Sequence, residues 1–445
     1  MDMQEMLNEY LALAKSQGFV ADFKGAAEYI RQSTATFRYG QLEFQGAPKM
    51  FTPEAYEVIE DAAETTAGIL EKVIGRYLDD ADYRKLFPFS EELEKLILLP
   101  AGYDSLLPIS RLDIFFNEEN FDFKFCEFNA DGASAMNEDR EIFNAWNGSK
   151  LWAKFGEKYR FKSFELFDSW VDTFMKIYGG YKKRVENPTV AIVDFLESAT
   201  NGEFNVFKAA FLKRGINTVI SEIRDLRFKS GALYTKDGIR IDAVYRRAVT
   251  SECMEKYDGI KDFIAAVKAD AVCVIGAFRT QIIHNKHLFR ILRFPETAAF
   301  LTAFENAFIA AHVPETYCLD EGCFDIDAVL KDKSSWLIKP ADRYGSRGVA
   351  TGGDFSHAEW EGLIREHTGQ GFVLQRYCPP YKTTNIYCDK DGVEKKESYG
   401  NMTGMFVYDG KLAGLYSRQM TGLVTTHRNQ GRVACSVIAE KKIVA

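Results

Sequence analysis

The apolar and polar positions divide the chain into stretches of different period. In "DMQEMLNEYLALAKSQGF", Met6, Leu7, Tyr10, Leu11 and Leu13 recur at helical intervals, and Gly18 ends the run. "PEAYEVIEDAAETTAGILEKVIGRYL" repeats the pattern at greater length, with Pro53 suited to a first helical turn. Both read as packing helices. Residues 106 to 136 change to a period of two. Arg111, Leu112, Asp113, Ile114 and Phe115 alternate, Asn117 to Asn120 read as a turn, and Phe123 to Asn129 read as a second strand. Residues 141 to 180 return to a helical, aromatic-rich pattern that reads as core, from Phe143 and Trp146 to Trp170 and Phe174.

After Pro188 a short apolar run, "TVAIVDFLES", predicts a strand. The loop "ESATNGE", a helix "FNVFKAAFLKRG" closed by Gly215, and a second strand "INTVISEI" follow. Strand, helix, strand in this order predicts a parallel α/β unit, whose strand ends are where an open sheet binds ligands. "GALYTKDGIRIDAVYRR" adds a hairpin at Asp237-Gly238 and a further strand. The last third alternates strands and turns. "SSWLIKPADRYGSRGVATGG" is a strand, a glycine-rich loop and a strand, "GFVLQRYCPP" a strand ended by prolines, and "NMTGMFVYDGKLAGLYSRQM" a hairpin turning at Asp409-Gly410. No internal repeat or low-complexity tract interrupts this order.

Length and composition narrow the classes. A chain of 445 residues holds two or three domains or one large interlaced unit, and 46% hydrophobic with 27% charged residues is ordinary for a globular core. A net charge of -8 without a basic stripe argues against nucleic acid or an anionic membrane as partner. "MDMQEMLNEY" does not read as a signal peptide, and no run of 18 apolar residues occurs, so a cytoplasmic protein is expected. The 8 cysteines are scattered. Cys318 and Cys323 lack a second pair at zinc spacing, so all are expected as free thiols in a reducing compartment.

The candidate chemistry begins in the hairpin. Residues two apart on a strand share a face, so Glu127 and Asn129 project together, as do Arg111 and Asp113 across the turn. Two carboxylates and an amide oxygen suit Mg²⁺, and a guanidinium beside them suits a phosphoryl group. The same residues also fit an acidic hairpin with one solvated face. In "WLIKPADRYGSRGVA", Lys339 ends a strand before Gly345, Ser346 and Gly348, a composition that can cradle phosphates but is no P-loop and also fits an ordinary turn. Lys286, after Asn285 at an expected helix start, reaches a phosphate or is a surface lysine. His284 and His287 have no third ligand for a metal. The strand "FVLQRY" can meet an adenine edge through its backbone and Gln375, and Arg418 stands at a strand end.

Taken in order, these segments resemble the ATP-grasp synthetase domain of glutathionylspermidine synthase and its relatives, from about residue 106 to the C-terminus. Arg111-Leu-Asp113 and Glu127-Phe-Asn129-Ala-Asp131 match that family's paired strands. Asp194 to Gly215, Asn285-Lys286, Lys339 to Gly348, "LQRY" and Gly414 to Arg418 follow in the family's order. The resemblance implies an α+β and α/β ATP-grasp fold in three parts. These are an N-terminal helical region with the metal-binding hairpin (1–185), a preATP-grasp parallel α/β unit (186–284), and a nucleotide-binding lobe with the remaining core (285–445). It implies ATP and Mg²⁺ as cofactors. Asp113, Glu127 and Asn129 would be metal ligands. Arg111 and Arg418 would be catalytic. Lys286, Lys339, Gly345, Ser346, Gly348 and Gln375 would face ATP, and the 345–348 loop would be a lid element. The implied reaction activates a carboxylate as an acyl phosphate, which an amine attacks to give an amide. The family's amidase domain has no counterpart here, and its substrate contacts cannot be matched. The loop after the first parallel strand supplies the substrate expectation: Glu197, Ser198 and Asn201, with Glu203, suit an amino acid or short peptide, or else they only cap the helix. A nucleotide-binding protein without turnover and a small-molecule kinase remain the competing functions.

Overall fold

The computed structural model describes residues 2–16, 18–37, 40–343, 345, 347–422 and 431–442. Helices Met3–Ser16 and Phe19–Gln32 meet at Gly18, whose φ of 73° is the left-handed conformation that glycine adopts without a steric penalty. Helix Pro53–Asp79 opens with the Thr52 hydroxyl accepting from the Ala55 N–H at 3.2 Å, so Pro53 costs no hydrogen bond. It buries Ile59, Leu70, Val73 and Tyr77 and packs against the long C-terminal strands.

Those strands explain why a hairpin at residue 110 needs the far end of the chain. The six-stranded antiparallel sheet runs Arg432–Ala434, Lys411–Met420, Glu394–Tyr408, Ile109–Phe116, Phe123–Asn129, with Lys382–Cys388 also against Glu394–Tyr408. Asp409 and Gly410 make the predicted tight turn with φ of 45° and 82°. The α/β unit is a separate four-stranded parallel sheet, ordered Cys273–Ile275, Ala243–Arg246, Thr189–Asp194, Asn217–Glu222. Asp237-Gly238 turns a small antiparallel sheet beside it. A third lobe consists of Thr316–Cys318, Phe372–Arg376, Trp336–Pro340 and Ala350–Thr351, with its own core of Leu319, Trp336, Ile338, Trp360, Ile364 and Leu374.

Two expectations are corrected. The stretch 141–180 is not helical throughout: Tyr159–Lys162 is a strand, paired antiparallel with Ser436–Lys441, which in turn runs parallel to Lys49–Phe51. Edge pairing with a distant segment decides the conformation of four residues whose own periodicity is ambiguous. The cysteines are not all free. Cys318 and Cys323 form a disulfide where the chain turns back beyond the strand Thr316–Cys318, which brings their Cα atoms to 6.2 Å, while Cys126, Cys253, Cys273, Cys378, Cys388 and Cys435 stay reduced. Among the described residues no helix is long and apolar enough to cross a membrane.

Candidate active site

The hairpin register places Arg111 opposite Asn129 and Asp113 opposite Glu127, with a bulge immediately after Asp113. All four therefore face one cavity of about 290 Å³ that lies among the three sheets. The Arg111 guanidinium grips Asp113 as a fork, Nε to Oδ1 at 2.7 Å and one Nη to Oδ2 at 2.9 Å, while its other Nη donates to the Ser134 carbonyl at 2.7 Å. Asn129 Nδ2 donates to Asp113 Oδ2 at 3.0 Å. The neighbouring strand makes room for this cluster with a glycine. Gly404 pairs with Asp113, and a Cβ there would stand 2.9 Å from both Arg111 Cδ and Asp113 Oδ1.

Glu127 is paired from another element. Burial pushes its carboxyl up, but Lys286 Nζ at 2.8 Å outweighs this and brings the pKa down to about 2. Lys286 also donates to the Arg343 carbonyl at 2.6 Å. Lys339 Nζ donates to the Cys126 carbonyl at 3.0 Å and lies 5.1 Å over the Phe289 ring, and burial lowers its pKa to about 8. Gln375 donates to Thr316 Oγ1 at 2.8 Å, and Gln375, Gly345 and Arg418 also line the cavity. Gly348 does not. It has φ of 77° and packs on Pro340, where a Cβ would come within 2.9 Å of the ring. Ser346 lies outside the described residues.

The substrate loop divides. Ser198 lines the cavity and donates to Phe195 O at 3.2 Å and Glu252 Oε2 at 3.3 Å. Glu197 points to solvent, its side chain 49% exposed, and pairs with Arg224 and with Lys256 at 2.9 Å. Asn201 is exposed at the start of helix Asn201–Lys213, and neither residue reaches the cavity. Glu203 is a structural cap, though not of its own helix. Its Oε2 accepts from the Ala135, Met136 and Asn137 N–H groups at 3.1, 2.9 and 3.3 Å, and Oε1 pairs with Arg247 at 2.8 Å. Asp131 fixes the hairpin to the α/β unit through Arg246 at 2.6 Å.

Sequence reasoning assigned no role to several cavity residues. Asp194 ends the first parallel strand and, among the described residues, accepts only from the Phe195 N–H at 2.8 Å, and burial raises its pKa to about 7. The rule that ligands meet the carboxyl ends of parallel strands points to it. His284 is 2% exposed with both ring nitrogens unpartnered, and burial lowers its pKa. Glu138 and Gly404 carry no local signal, because their importance depends on what packs against them.

Two of the three donors implied for Mg²⁺ keep a free oxygen. Glu127 Oε2 and Asn129 Oδ1 have no hydrogen-bond partner among the described residues, whereas both Asp113 oxygens are engaged by Arg111 and Asn129. Hard oxygen donors beside three cations fit a divalent ion shared with phosphates. Glu127 and Asn129 would be the open ligands of such an ion, with Asp113 held beside them by Arg111 and Asn129.

No family model and no curated protein matches the chain. Among solved structures it is similar to a glutathione synthetase-like effector (GSS30) from Globodera pallida in its apo form, at 10% identity and a TM-score of 0.61, over 93% of this chain and 96% of that one. The D-cycloserine synthetase DcsG aligns at 13% identity over 56% of this chain and 91% of its own, with a TM-score of 0.31. The D-alanyl-alanine synthetase A of Vibrio cholerae aligns at 10% identity over 57% and 89%, with a TM-score of 0.26. At such identities the likeness concerns the fold. The chain shares the α+β fold of that effector.

Proposed function

We propose that the protein is an ATP-dependent ligase that joins a carboxylate to an amine, releasing ADP and phosphate. The observation that carries this reading is the polarity of one cavity. Lys286 and Lys339 stand at one end, Asp194, Ser198 and Glu252 at the other, and Arg111, Asp113, Glu127 and Asn129 lie on the hairpin between them. A polyanion suits the first end, a polar organic substrate suits the second, and the reacting atoms would meet over the hairpin.

In this reading Lys286 and Lys339 hold the phosphates as point charges, Gly345 and Gln375 line the nucleotide end, and Glu127 and Asn129 hold Mg²⁺. When bound, ATP would supply the phosphoryl group that turns a carboxylate into an acyl phosphate, and Mg²⁺ would neutralise charge on its phosphates. Arg111 is already fixed by Asp113 and by the Ser134 carbonyl, so it needs no reorganisation to face charge developing on the transferred group. Arg418 enters from the opposite strand. Burial makes each of these charges act more strongly than it would in water.

The resemblance to glutathionylspermidine synthase selects the first substrates to try. ADP release is measured with amino acids, small thiol peptides and polyamines, each alone and in pairs. Release that requires both an acid and an amine supports the ligase. Release with a hydroxyl acceptor alone identifies a kinase, and nucleotide binding without release identifies a binding protein.

A further inference from the structure

An amine that reaches the cavity as an ammonium must lose a proton before its lone pair can attack a carbonyl carbon, and the groups assigned so far are cations or paired carboxylates. One carboxylate in the cavity is left unassigned and, among the described residues, without any partner. Glu138 is the third residue of helix Met136–Trp146 and only 7% exposed, yet it makes no ion pair and no hydrogen bond with another residue among the described ones. The capping position that would ordinarily occupy a carboxylate there is taken. Glu203, reaching in from helix Asn201–Lys213, accepts the first three N–H groups and also holds Arg247.

The charged and titratable groups beside Glu138 are Asp139 on its own helix and Glu203, Arg111, Arg418 and Tyr416 from three other elements. Two of these are the arginines placed at the reaction centre. Of the other bases in the cavity, Asp194 accepts the Phe195 N–H, and His284, whose ring nitrogens have no partner among the described residues, lies beside Lys286 and Glu127 at the nucleotide end. Burying a carboxyl without a partner is costly, so a bare one that opens onto a cavity points to a ligand that completes it.

We propose that Glu138 is the general base of the acyl-transfer step, accepting the proton from the ammonium of the incoming amine. This inference rests on the ligase reading above. In the step, an ammonium N–H bond breaks and its proton goes to a Glu138 carboxylate oxygen. The freed lone pair forms the C–N bond at the acyl carbon, the C–O bond to phosphate breaks, and phosphate leaves with that electron pair. The second ammonium proton is lost to solvent from the tetrahedral adduct. Burial, and after it the neighbouring Glu203 carboxylate, raise the Glu138 pKa well above the usual carboxylate range, towards the neutral pH at which a general base works best.

Hydroxylamine provides the test, because its nitrogen is unprotonated at neutral pH and attacks acyl phosphates without help. The full-length enzyme is assayed with ATP, Mg²⁺ and the acid that drives ADP release, with either the matching amine or hydroxylamine as nucleophile. Glu138→Gln should lower kcat with the amine by about 100-fold or more, the range for a lost general base. Hydroxamate formation should stay within about threefold of the wild type, and raising the pH should partly restore the amine rate in the variant. Hydroxamate formation is also the folding control. If Glu138→Gln does not fold, Glu138→Asp carries the same comparison. Equal loss of both rates, or loss of neither, overturns the role of Glu138. A wild-type protein that makes no hydroxamate with any acid refutes the ligase reading itself.

Discussion

Two sides of the cavity hold their carboxylates in opposite ways. On the hairpin each carboxylate has its own cation: Asp113 sits in the Arg111 fork and Glu127 against Lys286. Where the α/β unit meets helix Met136–Trp146, among the described residues Glu138 has no partner and Asp194 accepts only its neighbour's N–H, because Arg247, the nearby cation, is held by Glu203. The paired side is preorganised: its charges are neutralised and its geometry set before any ligand arrives. The bare side is held at a cost that only a ligand would relieve. The first arrangement suits a group that must be placed accurately, and the second suits one that must be deprotonated or recognised.

The most severe way to break this contrast is to unpair the hairpin. Asp113→Asn removes the fork that orients Arg111, and Glu127→Gln leaves the Lys286 ammonium buried without a counter-charge. Removing one partner of a buried pair typically costs about 3–5 kcal/mol of stability. Both variants should lose ADP release by at least about 100-fold, the scale of one lost preorganised contact, while circular dichroism still reports a folded chain. Full activity in both would mean that the hairpin is not the reaction centre.

Gly404→Ala sharpens the point by leaving every charge in place. The added methyl would sit 2.9 Å from Arg111 and Asp113, so the pair must shift. Activity should fall by about 10-fold or more, since small misplacements at a reacting centre are expensive, and nucleotide affinity should change much less. Equal activity would show that the exact position of the pair does not matter.

Lys339 tests the nucleotide end. Lys339→Ala should weaken ATP binding by about 1.5–3 kcal/mol, the value of a charged hydrogen bond. Burial sets its pKa at about 8, so the phosphate-binding ammonium is present below that pH and is lost above it. ATP affinity of the wild type, measured by calorimetry, should therefore decline as pH rises through about 8, and the decline should be absent in the variant.

Stability against pH separates the two kinds of carboxyl directly. Glu127, lowered to about 2, contributes stability that is present above the ordinary glutamate pKa and is lost only as pH falls towards 2. Asp139 is buried beside Glu138, and burial raises its pKa to about 8 even though it accepts the Ser436 N–H at 2.7 Å. Its folded form binds the proton more tightly than its unfolded form. That contribution is complete below the ordinary aspartate range and drains away as pH rises to about 8, at up to about 1.4 kcal/mol per pH unit. Asp139→Asn should flatten the fall of a Tm–pH curve between about pH 4 and pH 8 and leave the limb below pH 4 unchanged.

What could be read from the sequence follows the same line. A strand fixes side-chain direction by its period of two, so the shared face of Glu127 and Asn129, and the convergence of Arg111 and Asp113 with them, were legible without coordinates. Gly18, Pro53 and Asp409-Gly410 announced their turns because their backbone conformations are restricted to few residue types. Contacts across hundreds of residues were not legible. Nothing local says that Lys286 meets Glu127, that Gly404 lies opposite Asp113, or that Tyr159–Lys162 pairs with the C-terminal strand. Nor does spacing alone say that Cys318 and Cys323 join. A loop has no period at all, so the direction of each side chain after Asp194 had to be seen.

That last limit yields the smallest expected effect. Glu197 and Asn201 lie on a polar loop at the carboxyl end of a parallel strand, which is where a substrate contact is expected. Glu197 instead turns outward to Arg224 and Lys256, both themselves partly exposed. Such surface pairs contribute about 0–1 kcal/mol, because solvent screens them and long side chains lose entropy in forming them. Asn201 opens its helix without reaching the cavity. Glu197→Ala and Asn201→Ala should therefore leave the KM of the acid, the amine and ATP unchanged within about twofold, with Tm moved by no more than a degree or two. Ser198 is the internal contrast. It shares the loop but faces the cavity, so Ser198→Ala should raise the KM of one organic substrate and leave that of ATP alone. A large KM change in Glu197→Ala with none in Ser198→Ala would reverse the assignment and place the substrate on the outer side of the loop.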